Sequence, residues 1–281
     1  MYESRTPLEP AAGGSRTGRN LPVAIAVGAG LGAVIIGSLY FVKVLFLAVV
    51  IAAVGIGVTE LVKSFAARDI NIPLIPVLVG MAAMIGGAYQ GGPAWLLGIF
   101  AMTVLVLMIW RMFQGTDGYV RDTTATILVT VYPALLAGFV ALLLRAPLDG
   151  PDRVVVFIAT TVASDIGGYF AGISLGRHRM SPLISPKKTW EGFAGSALAC
   201  MAVGGWLVAW LLDDAVWKGV LIGAVVVVFA TLGDLVESVI KRDLGVKDMG
   251  SVLPGHGGLM DRLDSLVAAL IPVWVLLTLL V

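Results

Sequence analysis

The sequence predicts an all-α, polytopic integral membrane protein with about nine transmembrane helices and a cytoplasmic N-terminus. Three observations carry this. The chain of 281 residues is 58% hydrophobic and only 13% charged, where a soluble protein carries about 25% charged residues. Its mean hydropathy is +0.96. Its lysines and arginines also divide unevenly between the two sides that the apolar runs define.

A helix that crosses a bilayer needs about 20 mostly apolar residues. Residues 1–20 are polar, rich in Pro, Gly and Arg, and read as a disordered cytoplasmic tail. The apolar run from Leu21 exceeds the ~7–15 residues of a signal-peptide core and reads as a retained first helix. Nine spans follow in order: 21–42, 44–62, 73–90, 93–112, 124–144, 154–173, 192–212, 219–240 and 265–281. Only Lys43 parts the first two, which read as one bent unit or a tight hairpin. With the N-terminus inside, fifteen of the nineteen basic residues fall on the cytoplasmic side. Lys43, Arg145, Arg153 and Lys218 fall on the other. A wrong span count would scramble this partition.

The organisation is therefore the tail, N-terminal membrane helices over 21–150, and a second membrane region over 151–281 with cytoplasmic loops, which the residues below mark as the catalytic one. No internal repeat and no matched pair of broken helices points to an inverted-repeat transporter. One cysteine, Cys200, forms no internal disulfide and reads as a small packing residue. The net charge of +1 is uninformative, and nothing in the composition calls for a nucleic-acid partner.

Three regions break the apolar pattern. In TTVASDIGGYFAG (Thr160–Gly172), Asp165 sits inside a span, where a carboxylate must face a cavity, a partner or the interior. Thr161, Asp165, Gly168 and Gly172 share a helix face. Asp165 reads either as a group joining helices or as a functional aspartate. The loop GRHRMSPLISPKKTWEG (Gly176–Gly192) is basic and kept extended by its prolines. Lys187 and Lys188 precede a helix start at Thr189-Trp190-Glu191. They serve either anionic headgroups or a nucleotide phosphate.

The third region is TLGDLVESVIKRDLGVKDMGSVLPGHGGLMDRLDS (Thr231–Ser265). Asp234, Glu237, Ser238 and Lys241 form one helical stripe. Asp261 and Asp264 flank Arg262 at the start of the last span, where acidic residues also suit the helix dipole. Mg²⁺ is usually held by one or two carboxylates together with substrate phosphates, and Asp234 and Asp261 could supply them. Gly255, Gly257 and Gly258 permit positive φ and close backbone approach, so that successive N–H groups form an anion nest. Lys241, Arg242, Lys247 and Arg262 would neutralise phosphate charge. This inventory suits phosphoryl or nucleotidyl transfer. His256 is open between acid/base, phosphate donor and structural roles. No Cys/His cluster suggests zinc.

The stretch SVIKRDLGVKDMGSVLPGHGGLMDRLD resembles the signature of phosphatidate cytidylyltransferases, also called CDP-diacylglycerol synthases. Ser238, Lys241, Arg242, Lys247, Asp248, Gly250, Leu253, Pro254, His256, Gly257, Gly258, Asp261, Arg262 and Asp264 all match without a gap. ISPKKTWEG (Ile184–Gly192) and SDIGGYFAG (Ser164–Gly172) also look like family segments, with Gly168 standing where Ala is more usual. The resemblance covers Thr160 to Asp264; before that it is topological.

The resemblance implies that CTP and phosphatidic acid give CDP-diacylglycerol and pyrophosphate, with Mg²⁺ and, from the family, room for a monovalent cation such as K⁺. Asp234, Lys241, Asp261 and Asp264 would be catalytic. Asp234 and Asp261 would hold the metal, and Asp264 would be a further ligand or a supporting carboxylate. Lys241, Arg242, Lys247 and Arg262 would hold phosphates. Ser238 and the 255–258 turn, with His256, Gly257 and Gly258, would position them. Lys187 and Lys188 would contact CTP or the lipid headgroup, and Asp165 would line the same cavity. The family likeness also implies a homodimer, with membrane lipids around it, in the cytoplasmic (inner) membrane and with its site facing the cytoplasm. A transporter or channel would place Asp165 and Asp234 in the membrane too, but needs no PGHGG turn with flanking lysines. The motif of the CDP-alcohol phosphatidyltransferases is absent from the sequence.

Overall fold

A computed structural model describes residues 21–250 and 258–281. The described chain is helical apart from one two-stranded hairpin. α1 (Leu21–Phe41) and α2 (Lys43–Ala66) are two helices that pack on each other. The break is Val42, with φ −145° and an extended backbone, so the division falls one residue before the lysine that marked it in the sequence.

α3 (Leu74–Gly91) and α4 (Pro93–Met112) meet at Gly92. Its φ of +74° belongs to the left-handed region that glycine tolerates. Pro93 then opens α4, where a missing N–H costs nothing. The next span is one rod in three parts: α5 (Tyr119–Val129), a π-helical segment (Thr130–Leu135) and α6 (Leu136–Leu144). Pro133 lies in the π segment. Proline cannot donate within a regular helix, and the wider turn accommodates it. The rod begins at Tyr119, before the span expected from residue 124.

α7 (Gly150–Leu175) leads to the hairpin of β1 (Arg179–Ser181) and β2 (Ser185–Thr189), which pair antiparallel. The loop expected to stay extended instead folds back on itself, with Pro182 in the turn and Pro186 in β2, through pairing that periodicity does not signal. α8 (Trp190–Leu211) starts at Thr189, whose Oγ1 accepts from Gly192 N at 3.1 Å. α9 (Val216–Leu244) stops at Gly245, φ +68°, a left-handed helix end. α10 (Met260–Leu280) closes the described chain.

Among the described residues, eight helical rods are long and apolar enough to cross a membrane, and α1 precedes them. The protein is an integral membrane protein. Large apolar side chains such as Trp95, Leu198 and Trp206 lie outward, as lipid requires. Inside, small residues bring backbones together, because lipid supplies no hydrophobic drive and close packing must. A Cβ on Gly167 would stand 2.7 Å from Gly195 O, and one on Gly192 would stand 3.1 Å from Gly168 O. Cys200 is buried there, with Sγ 3.2 Å from Thr160 O, in the packing role expected of it. Alternating crossings put the turns 67–73, 113–118 and 176–189, and the turn that begins at Gly245, at one end of the rods. Arg68 Nε donates to Leu244 O at 2.8 Å between two of these turns.

Candidate active site

The tight α7–α8 packing has a consequence at that end. The glycines that draw the helices together leave a polar cavity of about 330 Å³ between α7, β2, α8 and α9, with Ser265 of α10 at its edge. Small-ligand sites run from about 300 to 1,000 Å³. Asp165, Lys187, Lys188 and Asp234 all line it, with Gly168 and Gly172 as its thin wall. Thr161, from the same helical face, is instead buried and donates to Phe157 O at 2.9 Å.

Lys188 reaches from β2 across to α9. Its Nζ lies 2.7 Å from Asp234 Oδ2 and 3.2 Å from Thr231 O. Ser238 sits one turn further along and points Oγ at Asp234 Oδ1, 3.4 Å away. Arg242 ties the hairpin down by donating from Nε to Ile184 O. Asp165 lies open to the cavity and within the field of Asp234, Lys188 and Arg262.

The second half of the site is one turn along α9. Lys241 Nζ is bonded to Glu237 Oε2 and to Asp261 Oδ1, the latter at 2.9 Å. Asp261 in turn accepts backbone N–H groups from both ends of the signature turn: Met249 N at 3.1 Å and Gly258 N at 2.9 Å, both to Oδ2. This one carboxylate therefore joins Lys241 to the turn. Asp264 is buried and accepts from Ser265 N at 2.6 Å. Tyr132, carried inward by the π segment, lies within reach of the charges of Asp264, Glu237 and Asp234.

Some expected residues fall elsewhere. Lys247 is exposed and does not line the cavity. His256 and Gly257 lie outside the described residues. Gly258 serves the close backbone approach that glycine permits. It is confined by space: an added Cβ would stand 2.7 Å from Gly250 N and 2.8 Å from Asp261 Oδ2. Two carboxylates escaped the site prediction. Glu237 was seen only as part of a stripe, yet it is fully buried beneath Lys241. Glu60 of α2 is 4% exposed and accepts from Met260 N at 2.9 Å. Its signal was available, because a carboxylate inside an apolar span is costly wherever it occurs.

Among the described residues, no three His, Cys, Asp or Glu side chains are grouped tightly enough to hold a metal ion alone. The donor chemistry nevertheless suits a hard cation that also draws on substrate oxygens. Five carboxylates (Asp165, Asp234, Glu237, Asp261 and Asp264) face Lys188, Lys241 and Arg262, and Glu237 Oε1 is buried with no hydrogen-bond partner among the described residues.

Fold and cavity together define a polytopic membrane protein with an acid- and lysine-lined site at one end of its helices. The model of the cytidylyltransferase family matches residues 22–280. A phosphatidate cytidylyltransferase of Mycobacterium bovis is 40% identical over 285 residues, covering 97% of this chain and 93% of that protein. One of Mycobacterium leprae is 41% identical over 282 residues, covering 94% and 90%. One of Brucella suis is 40% identical over 192 residues, covering 63% and 69%. The chain belongs to the cytidylyltransferase family.

Proposed function

We propose that this protein transfers the cytidylyl group of CTP to phosphatidic acid, giving CDP-diacylglycerol and pyrophosphate. The observation that carries this reading is the cavity holding Asp165, Lys187, Lys188 and Asp234, in a chain of this family. A soluble triphosphate must meet a lipid phosphate at the membrane edge, and the cavity lies near the ends of the spans. The excess of basic residues on this side supports a cytoplasmic orientation.

In this reaction a phosphatidate oxygen attacks the α-phosphorus of CTP. One P–O bond forms there, the bond to the β-phosphate oxygen breaks, and pyrophosphate leaves. The attacking oxygen is already anionic, so no protein base is needed, and positioning with charge stabilisation does most of the work. Lys188 and Lys187 hold phosphate oxygens from the hairpin side, and Lys241, Arg242 and Arg262 from the α9–α10 side. Lys188 and Lys241 are oriented for this by Asp234 and by Glu237 with Asp261. Lys247, His256, Gly257 and Gly258 of the signature would add further contacts to the phosphates, and Ser238 steadies Asp234.

Mg²⁺ would be held by Asp234, Asp261 and Asp264 and would neutralise developing charge on the phosphates. A monovalent cation such as K⁺ would further balance the acidic surplus. We assign the protein to the cytoplasmic membrane, and a homodimer as its assembly.

The test is purified protein in mixed detergent–phosphatidate micelles with labelled CTP. The reading requires label to enter lipid only when Mg²⁺ is present, with pyrophosphate released in equal amount. Folded protein that moves no label into lipid would overturn it.

A further inference from the structure

The catalytic turn is held from outside by a helix that contributes nothing to the cavity. Glu60, Ser64 and Arg68 follow one another at intervals of four on α2 and the turn after it, on one face. Each touches a backbone group of the 244–260 segment. Arg68 Nε donates to Leu244 O at 2.8 Å, at the C-terminus of α9, where orphan carbonyls favour a cation. Ser64 Oγ lies 3.2 Å from Met249 O. Glu60 Oε2 accepts Met260 N at 2.9 Å.

The last contact fills a gap in α10. Its first N–H groups have no partner within the helix, and Leu259, before it, offers no side-chain cap. A buried carboxylate from another helix supplies the acceptor, at the positive end of the helix dipole. Glu60 Oε1 has no hydrogen-bond partner among the described residues. It lies against Gly250: the three nearest heavy atoms to a Cβ built there all belong to Glu60. Gly250 has no left-handed φ, so its backbone does not need glycine. Its small size makes room for Glu60.

We infer that Glu60 is a positioning residue, which caps α10 from α2 and thereby fixes Asp261 against Lys241, and that Gly250 is glycine because Glu60 is there. Ser64 and Arg68 complete the same clamp. The catalytic consequence rests on the function proposed above; the placement of the turn does not.

The experiment is hydrogen–deuterium exchange over peptides containing Met260, in the full-length protein in detergent, alongside turnover. Glu60→Ala removes the acceptor, so exchange there rises about tenfold while α3 and α4 are unchanged. Turnover falls about 100-fold, the usual scale for an ångström of misplacement. Glu60→Gln keeps a carbonyl oxygen for Met260 N–H, returning exchange to within about twofold and turnover to within about tenfold of wild type. Gly250→Ala crowds Glu60 and loosens the same peptides. In the Glu60→Ala background it has no further effect, because contacting residues are non-additive. Wild-type exchange at Met260 in Glu60→Ala overturns the inference, as does equal harm from Gly250→Ala in both backgrounds. Where Glu60→Ala is not recovered folded, Gly250→Ala and Glu60→Gln carry the test: unchanged exchange in the first, or Ala-like loosening in the second, overturns it. Wild-type protein that transfers nothing to lipid would count against the proposed function and leave the exchange result standing.

Discussion

Two clusters of buried charge sit at the same end of the helices, and they are built differently. In the first, Arg111 of α4 and Asp122 of α5 are 7% and 1% exposed. Arg111 Nη2 lies 3.1 Å from Asp122 Oδ2, its Nη1 donates to Gly115 O at 3.0 Å, and Asp122 Oδ1 accepts from Arg121 Nε at 3.0 Å. Both carboxylate oxygens are used, and the cluster closes the turn between two spans. In the second, Lys241 serves two carboxylates at once, Glu237 keeps a buried oxygen without a partner among the described residues, and acids outnumber bases. A buried ion pair that satisfies itself is structural; one with surplus charge beside a cavity is poised to take a ligand. The distinction lies in the accounting of partners and in access: Arg111 and Asp122 are both buried, whereas Lys241 and Asp261 are only partly so.

Substitutions separate the two. The largest effect is expected at Asp261, where Asp261→Asn weakens the bond to Lys241 while keeping shape. Turnover per folded protein falls at least about 100-fold, the scale seen when one electrostatic group is removed from a transition state. Lys188→Ala breaks the pair with Asp234 and removes a phosphate contact. It is expected to raise the KM for CTP about tenfold, the size of one charge-assisted hydrogen bond, read from initial rates at varied CTP. Arg111→Met leaves Asp122 with Arg121 as its remaining partner and costs about 1–3 kcal/mol of stability, the scale of a buried group losing one hydrogen-bond partner. It appears as a lower Tm, with turnover of the folded fraction close to wild type. The smallest effect is expected at the opposite end of the rods. Lys218→Met removes the pair with Asp214 (2.6 Å) and should leave turnover unchanged. Lys218 holds the Asp214 carboxyl below its usual range, so that pair helps the fold above the unfolded pKa and is lost as pH falls. The variant should therefore lose less stability than wild type on acidification.

How legible this was depended on the kind of signal. Spans were readable because a bilayer demands continuous apolar length, and each expected run from 44 onward lies largely within a helical rod. The hairpin over 179–189 was not, because its pairing is a tertiary choice within a polar loop. Asp165, Lys188 and Asp234 could be named as candidates from cost and motif, and the structure brings them to one cavity. Lys247 could be named and lies outside it. Glu60 was hidden by distance in sequence: its partner Met260 is 200 residues away, and no local pattern links them. Only its charge in an apolar run marked it. Glu237 was visible as a helical neighbour, but its burial is set by α10 and could not be read from α9 alone.

We propose that the second cluster performs chemistry and that the first only joins two spans. The most direct measurement compares Asp261→Asn with Asp122→Asn, each neutralising one ion-paired aspartate. The rate of label transfer from CTP into phosphatidate is normalised to folded protein. The account predicts loss of transfer in Asp261→Asn and near wild-type transfer in Asp122→Asn. Wild-type transfer in Asp261→Asn, or equal loss in both, would contradict it.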